Sequence, residues 1–569
     1  MSRATTSGEF HGRRRLLLVV IACAFAALVW RAVDLQVLDR DFLQGQGDAR
    51  HLRVMEMPAH RGMILDRQGE PLAISTPVQS VWVNPQEVIT AREQLPRLAN
   101  ALNLEMDYIQ RTLASRAGRE FVYLRRHISP DLATQVRALE IPGVFLQQEY
   151  RRYYPAGEVM AHVLGFTNID DAGQEGLELA YGEWLRGTPG AKRVIKDGRR
   201  NIVETVESIR PPQPGRELRI SIDRRIQFLA YRELKAAVQQ HGARSASAVI
   251  LDVQRGEVLA MVNQPSYNPN NRDHRRSDHF RNRAVTDVFE PGSTIKPFTV
   301  AAALEAGRYQ PHTLIDTSPG YLTVGRNTVK DVRNFGPMDV TGVMRKSSNV
   351  GVVKMALSMP PKTLWGMLSK VGFGATTGSG FPGESAGLLV NHPRWRDIEL
   401  ATLAFGYGMS VTPLQLAEAY SVIANDGLLR PVSFLYQDKV PEGERVMSAR
   451  VAREVRTMME EVLGPEGTAP LARVAGYRVA GKTGTVKKSI AGGYADDRYQ
   501  ALFAGMAPAS QPRLVMVVVI DEPSRQEYYG GVVAAPVFSR VMTGALRLMN
   551  IPPDDIPPPL QASRARGAS

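Results

Sequence analysis

Cysteine is almost missing from this chain: Cys23 is the single one in 569 residues. An internal disulfide is therefore excluded, as are paired-cysteine redox chemistry and cysteine metal sites. The formal charge is +13, yet no zinc-finger spacing, RNA-binding aromatic motif or arginine-rich helix accompanies it, which sets nucleic acid aside. Acidic lipid head groups or an anionic polymer match the basic balance equally well. No internal repeat is present, and 44% hydrophobic with 22% charged residues is the composition of a folded chain. The length exceeds one core and predicts two or more domains of ~100–200 residues each.

One candidate span exists. Arg13-Arg14-Arg15 precede Leu16 to Trp30, fifteen residues without a charge, short of the ~20 that cross a bilayer. Arg31 can snorkel, and Leu35, Val37 and Leu38 extend the apolar character, so an anchor over 16–38 follows a cytoplasmic tail over 1–15. Ala24-Phe25-Ala26 resembles a signal-cleavage site, but the apolar run continues through Ala27 to Trp30, which argues for retention. Under both readings the bulk of the chain is exported.

From residue 39 short apolar and charged segments alternate until Pro211-Pro212-Gln213-Pro214-Gly215 interrupts every pattern. A boundary there gives an N-terminal domain over 39–212 and a second over 213–550. In the second, Asp223 caps a helix whose Ile226, Leu229, Ala230, Leu234, Ala237 and Val238 share a face. Residues 246–253 and 257–262 read as a hairpin, and 501–507 and 514–520 as strands. Strands at both ends with helices between predict one mixed sheet, closed by its termini and covered by helices. The proline-rich residues 551–569 read as a disordered tail.

Three short motifs stand in order in the second domain. Ser293-Thr294-Ile295-Lys296 follows Glu290-Pro291-Gly292, Ser347-Ser348-Asn349 comes 54 residues later, and Lys482-Thr483-Gly484-Thr485 lies 133 beyond Asn349. A serine hydroxyl needs a base within reach; three residues apart on a helix, Lys296 shares a face with Ser293. Pro291-Gly292 is a turn signal that puts Ser293 at a helix start, where its backbone N–H is free for an oxyanion. Pro297 is tolerable only in a first turn, which agrees. A lysine base must be neutral, so burial or a nearby cation, for which Lys482 is the candidate, has to lower its pKa. Ser347 can relay a proton, and the Asn349 amide can donate to and accept from a peptide. Lys482 to Thr485 should be a strand edge. There the lysine and hydroxyls meet a substrate carboxylate, Gly484 lets the substrate backbone dock, and the Thr485 N–H is a second oxyanion donor.

Taken singly, each motif reads as a helix cap, a solvated charge or a turn. The ordered triple does not. Gly383-Glu384-Ser385-Ala386-Gly387 matches a hydrolase nucleophile elbow, but that motif needs a preceding strand. Gly378-Ser379-Gly380-Phe381-Pro382 is a loop, so Ser385 is structural. The run from His274 to His279 lacks metal-ligand spacing, and no metal or cofactor is expected.

The three motifs resemble those of penicillin-binding proteins. The resemblance extends to His60-Arg61-Gly62-Met63-Ile64-Leu65-Asp66-Arg67-Gln68-Gly69-Glu70-Pro71-Leu72-Ala73, to Arg152-Tyr153-Tyr154-Pro155 and to Gly173-Gln174-Glu175-Gly176-Leu177-Glu178. Together these are similar to class B penicillin-binding proteins, most of all the division-specific penicillin-binding protein 3 type. The resemblance implies an extended α+β pedestal (dimerisation-like) domain before an α/β penicillin-recognising transpeptidase domain, with a mostly antiparallel sheet covered by helices. It implies peptidoglycan stem peptides ending in D-Ala-D-Ala as substrate, and covalent capture by β-lactams. Ser293 would be the nucleophile, Lys296 the general base and Ser347 the relay, with Lys482 beside them and Asn349, Thr483, Gly484 and Thr485 binding substrate. A membrane glycan polymerase and division scaffold proteins would be partners at the inner membrane, with the catalytic domain in the periplasm at the septum. The alternatives are an elongation-specific transpeptidase of the lateral wall and a β-lactam sensor or scaffold.

Overall fold

A computed structural model describes residues 8–38, 52–196, 202–271, 277–490, 492–525 and 527–555. The expectations for 1–7, 39–51, His274 to Arg276 and 556–569 lie outside the described residues. The apolar run is helix α1 (Gly8–Val33), continued by a π turn to Leu38. Within Gly12–Leu38 an 18-residue stretch has a mean hydropathy of 2.5 and is not buried. Arg31 pairs with Asp34 at 2.6 Å. At 1.5 Å per residue the helix is long enough to cross a bilayer.

The chain divides into two compact units. The first takes residues up to His60 together with Gly187–Pro214. Within it, strands Leu52–Met57, Gly190–Lys196 and Ile202–Arg210 make a three-stranded antiparallel sheet with Gly190–Lys196 in the middle. The second joins Arg61–Arg186 to the chain from Gly215 onward. Residues Arg61–Arg186 are thus continuous in contact with the chain from Gly215 onward. The reason is a set of long-range ties that no local pattern records. Ile64–Leu65 pairs in parallel with Leu218–Arg219. The buried Asp66 carboxylate accepts from the Gln68 and Glu70 amides at 2.8 and 2.9 Å, and Gln68 donates to Asp223 at 2.9 Å. Arg67 pairs with the buried Glu257 at 3.3 Å. Only a head retains its own small core, around Val81, Leu98, Leu102, Ile109 and Val136.

The catalytic half starts with helix α2 (Arg224–His241), capped by Asp223 as expected: its Oδ1 accepts from the Arg225 amide at 3.0 Å. The sheet is built from β1 (Ser245–Asp252), β2 (Val258–Gln264), β3 (Ala480–Ile490), β4 (Gly493–Ala507) and β5 (Leu514–Asp521). Its order is β2-β1-β5-β4-β3, and every pairing is antiparallel rather than mixed. Strands β1 and β2 are buried throughout, which explains their unbroken apolar reading. Helix α2 packs with the C-terminal helix Ala535–Leu548, while helix Pro413–Ala424 covers β1 and β5. Order also continues past Asn550, where a disordered tail was expected. Ile551 is buried, and the Tyr477 hydroxyl donates to its carbonyl at 2.6 Å.

Candidate active site

The site forms where the edge strand β3 meets the turn that carries Ser293. Gly292 adopts φ +53° and opens a 3-10 turn, Gly292–Ile295, that runs into helix α3 (Lys296–Glu305) with Pro297 in its first turn. In a 3-10 turn residues three apart eclipse, so Lys296 follows Ser293 on the same side. Pro297 has no N–H to give to the Ser293 or Thr294 carbonyl. The buried Tyr420 hydroxyl donates to Thr294 O instead, at 2.8 Å. On the other side the Gly292 amide donates to Gly406 O at 3.0 Å. Gly406 has φ +85°, and a Cβ there would collide with the Gly292 carbonyl.

Helix Val340–Lys346 ends at Ser347, which takes the left-handed conformation (φ +59°). Such strain in a non-glycine residue is concentrated at functional sites. It turns both oxygens of Ser347 towards Lys296, whose Nζ donates to Ser347 O at 2.5 Å, to Ser347 Oγ at 3.2 Å and to Asn349 Oδ1 at 2.7 Å. Lys482 Nζ reaches the same Ser347 Oγ at 2.9 Å. Two fully buried lysines therefore share one hydroxyl. Burial first, and then the Lys482 charge, hold the Lys296 ammonium well below its ordinary value of 10.5, against an opposing pull from Asp331. Burial lowers Lys482 to about 7. The half-buried Ser293 hydroxyl makes no hydrogen bond to a described residue, and its amide makes no backbone one.

Asn349 is turned inward more than expected. Besides accepting from Lys296 it donates through Nδ2 to Lys330 O at 2.9 Å, which leaves one amide hydrogen uncommitted. Gly484 also has a nearer reason to be glycine than substrate docking. A Cβ there would stand 2.9 Å from the Leu502 side chain and 3.1 Å from Thr294 Cγ2. The Thr483 hydroxyl meets that of Thr468 at 2.7 Å, and Thr485 Oγ1 accepts from the Gly530 amide at 3.0 Å. Thr485 lies on the sheet's terminal strand, opposite Ala501.

Several supporting residues were not legible in advance. Asp331 accepts from the Ser348 hydroxyl at 2.6 Å and from the Asn349 and Val350 amides at 2.5 and 3.0 Å, so it caps the helix Asn349–Leu357. A lone aspartate sixteen residues before Ser347 carries no spacing signal, and neither Tyr420 nor Thr468 falls within a motif. Glu290, next to Pro291, accepts from the Gly408 amide at 2.9 Å and the Tyr494 hydroxyl at 3.1 Å. Ser385 lies in a loop, its hydroxyl accepting from the Gly387 amide at 3.3 Å. Among the described residues no group of three or more His, Cys, Asp or Glu is arranged to hold a metal ion.

The penicillin-binding protein transpeptidase domain matches residues 246–543, and the penicillin-binding protein dimerisation domain matches 56–220. The chain is 46% identical over 547 residues to peptidoglycan D,D-transpeptidase FtsI of Escherichia coli K12, covering 95% of this chain and 92% of that one. It is 39% identical over 535 residues to the FtsI of Buchnera aphidicola, covering 93% and 94%. Among solved structures it is similar to a Mycobacterium penicillin-binding protein 3 complexed with aztreonam, at 31% identity and TM-score 0.69, with 89% of this chain and 99% of that one covered. The transpeptidase domain of Burkholderia pseudomallei penicillin-binding protein 3 matches at 45% identity and TM-score 0.55, over 59% of this chain and 98% of its own. A serine turn, two lysines on one serine hydroxyl and a terminal strand thus sit in a chain that matches both domain families over 56–220 and 246–543, and the chain belongs to the penicillin-binding proteins that carry a dimerisation domain before a transpeptidase domain.

Proposed function

We propose that this chain is a peptidoglycan D,D-transpeptidase that cross-links stem peptides at the division septum through an ester on Ser293. The Ser293 hydroxyl gives its proton to neutral Lys296 and attacks the penultimate D-Ala carbonyl. The Ser293 and Thr485 backbone N–H groups receive the oxyanion. The peptide C–N bond breaks, the terminal D-Ala leaves as an amine after taking a proton through Ser347, and the acyl group stays on Ser293. An amine of a neighbouring stem peptide then attacks the ester and restores the hydroxyl. Lys482 and Thr483 bind the terminal carboxylate, while Asn349, Gly484 and Thr485 align the peptide beside the terminal strand. A β-lactam enters by the same route and leaves Ser293 acylated.

The observation that carries this reading is the pair of buried lysines on the Ser347 hydroxyl, because one lowered ammonium beside Ser293 is the base that the serine needs. Residues 39–212 serve as pedestal and 213–550 as the catalytic domain. The N-terminal helix anchors the chain in the inner membrane, with the arginine cluster in the cytoplasm and the catalytic domain in the periplasm. A membrane glycan polymerase and division scaffold proteins are its partners, since no polymerase motif is present in the pedestal. The chemistry is tested by labelling with a fluorescent penicillin: wild type gives a covalent band and Ser293→Ala gives none. A labelled Ser293→Ala protein would sink the site. The septal role is tested by a functional fluorescent fusion, which should form a band at midcell as cells constrict. Side-wall patches without a septal band would move the same chemistry to elongation.

A further inference from the structure

The chain's strong basic balance is not absorbed by the acyl-transfer site, and part of it converges elsewhere. A cleft of about 500 Å³ is lined by Arg125, Arg126, Arg151, Asn268, Asn270 and Asn271, with His127 and Ile169 completing its wall. That volume is within the range of small-ligand sites. Among the described residues no carboxylate lines it. Arg126 is neutralised from outside by Glu149 at 2.8 Å and Asp170 at 2.7 Å, and His127 stands 3.7 Å from Glu149. Arg125 and Arg151 are different: among the described residues neither is paired with a carboxylate. Arg125 donates to the Leu102 carbonyl, and Arg151 to the Asn270 carbonyl at 3.3 Å. The backbone here is fixed by more than chance surface packing. The Asn270 side chain accepts from the Tyr154 amide and donates to the Tyr154 carbonyl, both at 2.9 Å. This ties the asparagine loop to the strand that bears Arg151.

The lining chemistry selects among anions. Guanidinium groups recognise carboxylates through paired N–H donors, and primary amides bind the hydroxyl and acetamido groups of sugars. Among the described residues Ile169 is the one aliphatic side chain in the wall, too little apolar surface to seat lipid chains beside a head group. Phe, Tyr and Trp rings for base stacking are absent from the lining among the described residues. We propose that this cleft is a second, non-catalytic binding site for an uncross-linked peptidoglycan strand, recognised by the free carboxylates of its stem peptides and the polar groups of its sugars. The inference rests on the transpeptidase reading for the identity of the polymer, and gives the enzyme a hold on the glycan apart from the peptide end that it acylates. Because the attraction is between exposed charges, it weakens as salt is raised.

The test is binding of soluble, uncross-linked glycan strands bearing stem peptides to the detergent-solubilised full chain, with penicillin acylation of Ser293 measured on the same samples. Two variants are compared with wild type. Arg125→Ala/Arg151→Ala removes the two uncompensated charges, and Ile169→Glu puts a carboxylate into the wall without removing any side-chain hydrogen bond. Both should weaken strand binding by about tenfold or more while acylating at the wild-type rate. Strands with amidated stem carboxylates should bind wild type as weakly as normal strands bind the variants. Variants that acylate normally and bind strands like wild type would overturn the inference and leave the Ser293 reading intact. So would a loss confined to vesicles of anionic lipid, which would make the cleft a lipid contact. A wild-type protein that binds strands but is never acylated would instead refute the transpeptidase reading.

Discussion

Arg61 and Arg152 in the pedestal, and Lys296 and Lys482 in the catalytic domain, are all nearly or fully buried cations, yet the two pairs are treated in opposite ways. The arginines grip one buried carboxylate from both sides: Glu178 Oε2 is 2.6 Å from Arg61 Nε, and Glu178 Oε1 is 2.6 Å from Arg152 Nε. The lysines have no ion-pair partner among the described residues and share a serine hydroxyl instead. A guanidinium cannot give up its proton inside a protein, so burying it demands a counter-charge. An ammonium can, so burial without a counter-charge converts a lysine into a base. Of these four buried cations, the pair that grips a carboxylate is scaffolding, and the pair without one is the candidate for proton transfer.

That contrast breaks most sharply at Lys296. Lys296→Ala should cut the rate of β-lactam acylation by roughly 10²–10⁴-fold, measured by stopped flow, with a melting temperature no lower than wild type. A mutant that acylates rapidly would remove Lys296 as the base. At the other cluster, Glu178→Ala removes the carboxylate that both guanidiniums grip. It should cost about 3–5 kcal/mol of stability by chemical denaturation, while the folded fraction still acylates normally. Wild-type stability in that variant would mean that the triad contributes nothing.

The pH dependence of stability sharpens the comparison further. Folded Lys482 gives up its proton near pH 7, whereas in the unfolded chain it does so near its ordinary 10.5. Between those values the unfolded state binds the extra proton, so stability rises with pH across the window, by up to about 1.4 kcal/mol per unit. Below pH 7 the burial penalty is fully present. Lys482→Met should flatten the rise, and equal unfolding profiles for the two proteins between pH 7.5 and 9.5 would contradict an unpaired buried ammonium. The smallest effect is expected at Tyr420, which touches no reacting atom and acts through the Thr294 carbonyl. Tyr420→Phe leaves that carbonyl short of a donor, at about 1–3 kcal/mol. Acylation should slow several-fold with unchanged initial β-lactam binding, whereas a purely structural role would lower the melting temperature alone.

Much of the catalytic sheet was legible. Residues 246–253, 257–262, 501–507 and 514–520 were read as strands, and the observed ones are Ser245–Asp252, Val258–Gln264, Gly493–Ala507 and Leu514–Asp521. Apolar, β-branched runs bounded by turn residues announce themselves locally. Of β3 only the Lys482–Thr485 segment was read as a strand edge, because glycines and lysines mask the rest. The pedestal's long-range ties were not legible for a related reason. Its union with the catalytic half is made by Asp66, Gln68, Arg67 and Glu257, polar contacts between residues 155 or more apart that leave no periodic trace.

What the sequence determined by itself was the set of reacting groups and their local geometry. Ser293 and Lys296 are three residues apart after Pro291-Gly292 and before Pro297, and backbone sterics alone then fix a tight turn with both on one side. Tertiary structure decided everything that depends on burial and on distance along the chain. It brought Ser347 and Lys482, 135 residues apart, to one hydroxyl. It supplied Asp331 and Tyr420 as supports and turned Asn349 inward. It also buried Lys296 near the Lys482 charge, against the opposing pull of Asp331. A pKa belongs to an environment and not to a residue, so the sequence could call for a lowered lysine and only the fold could lower it.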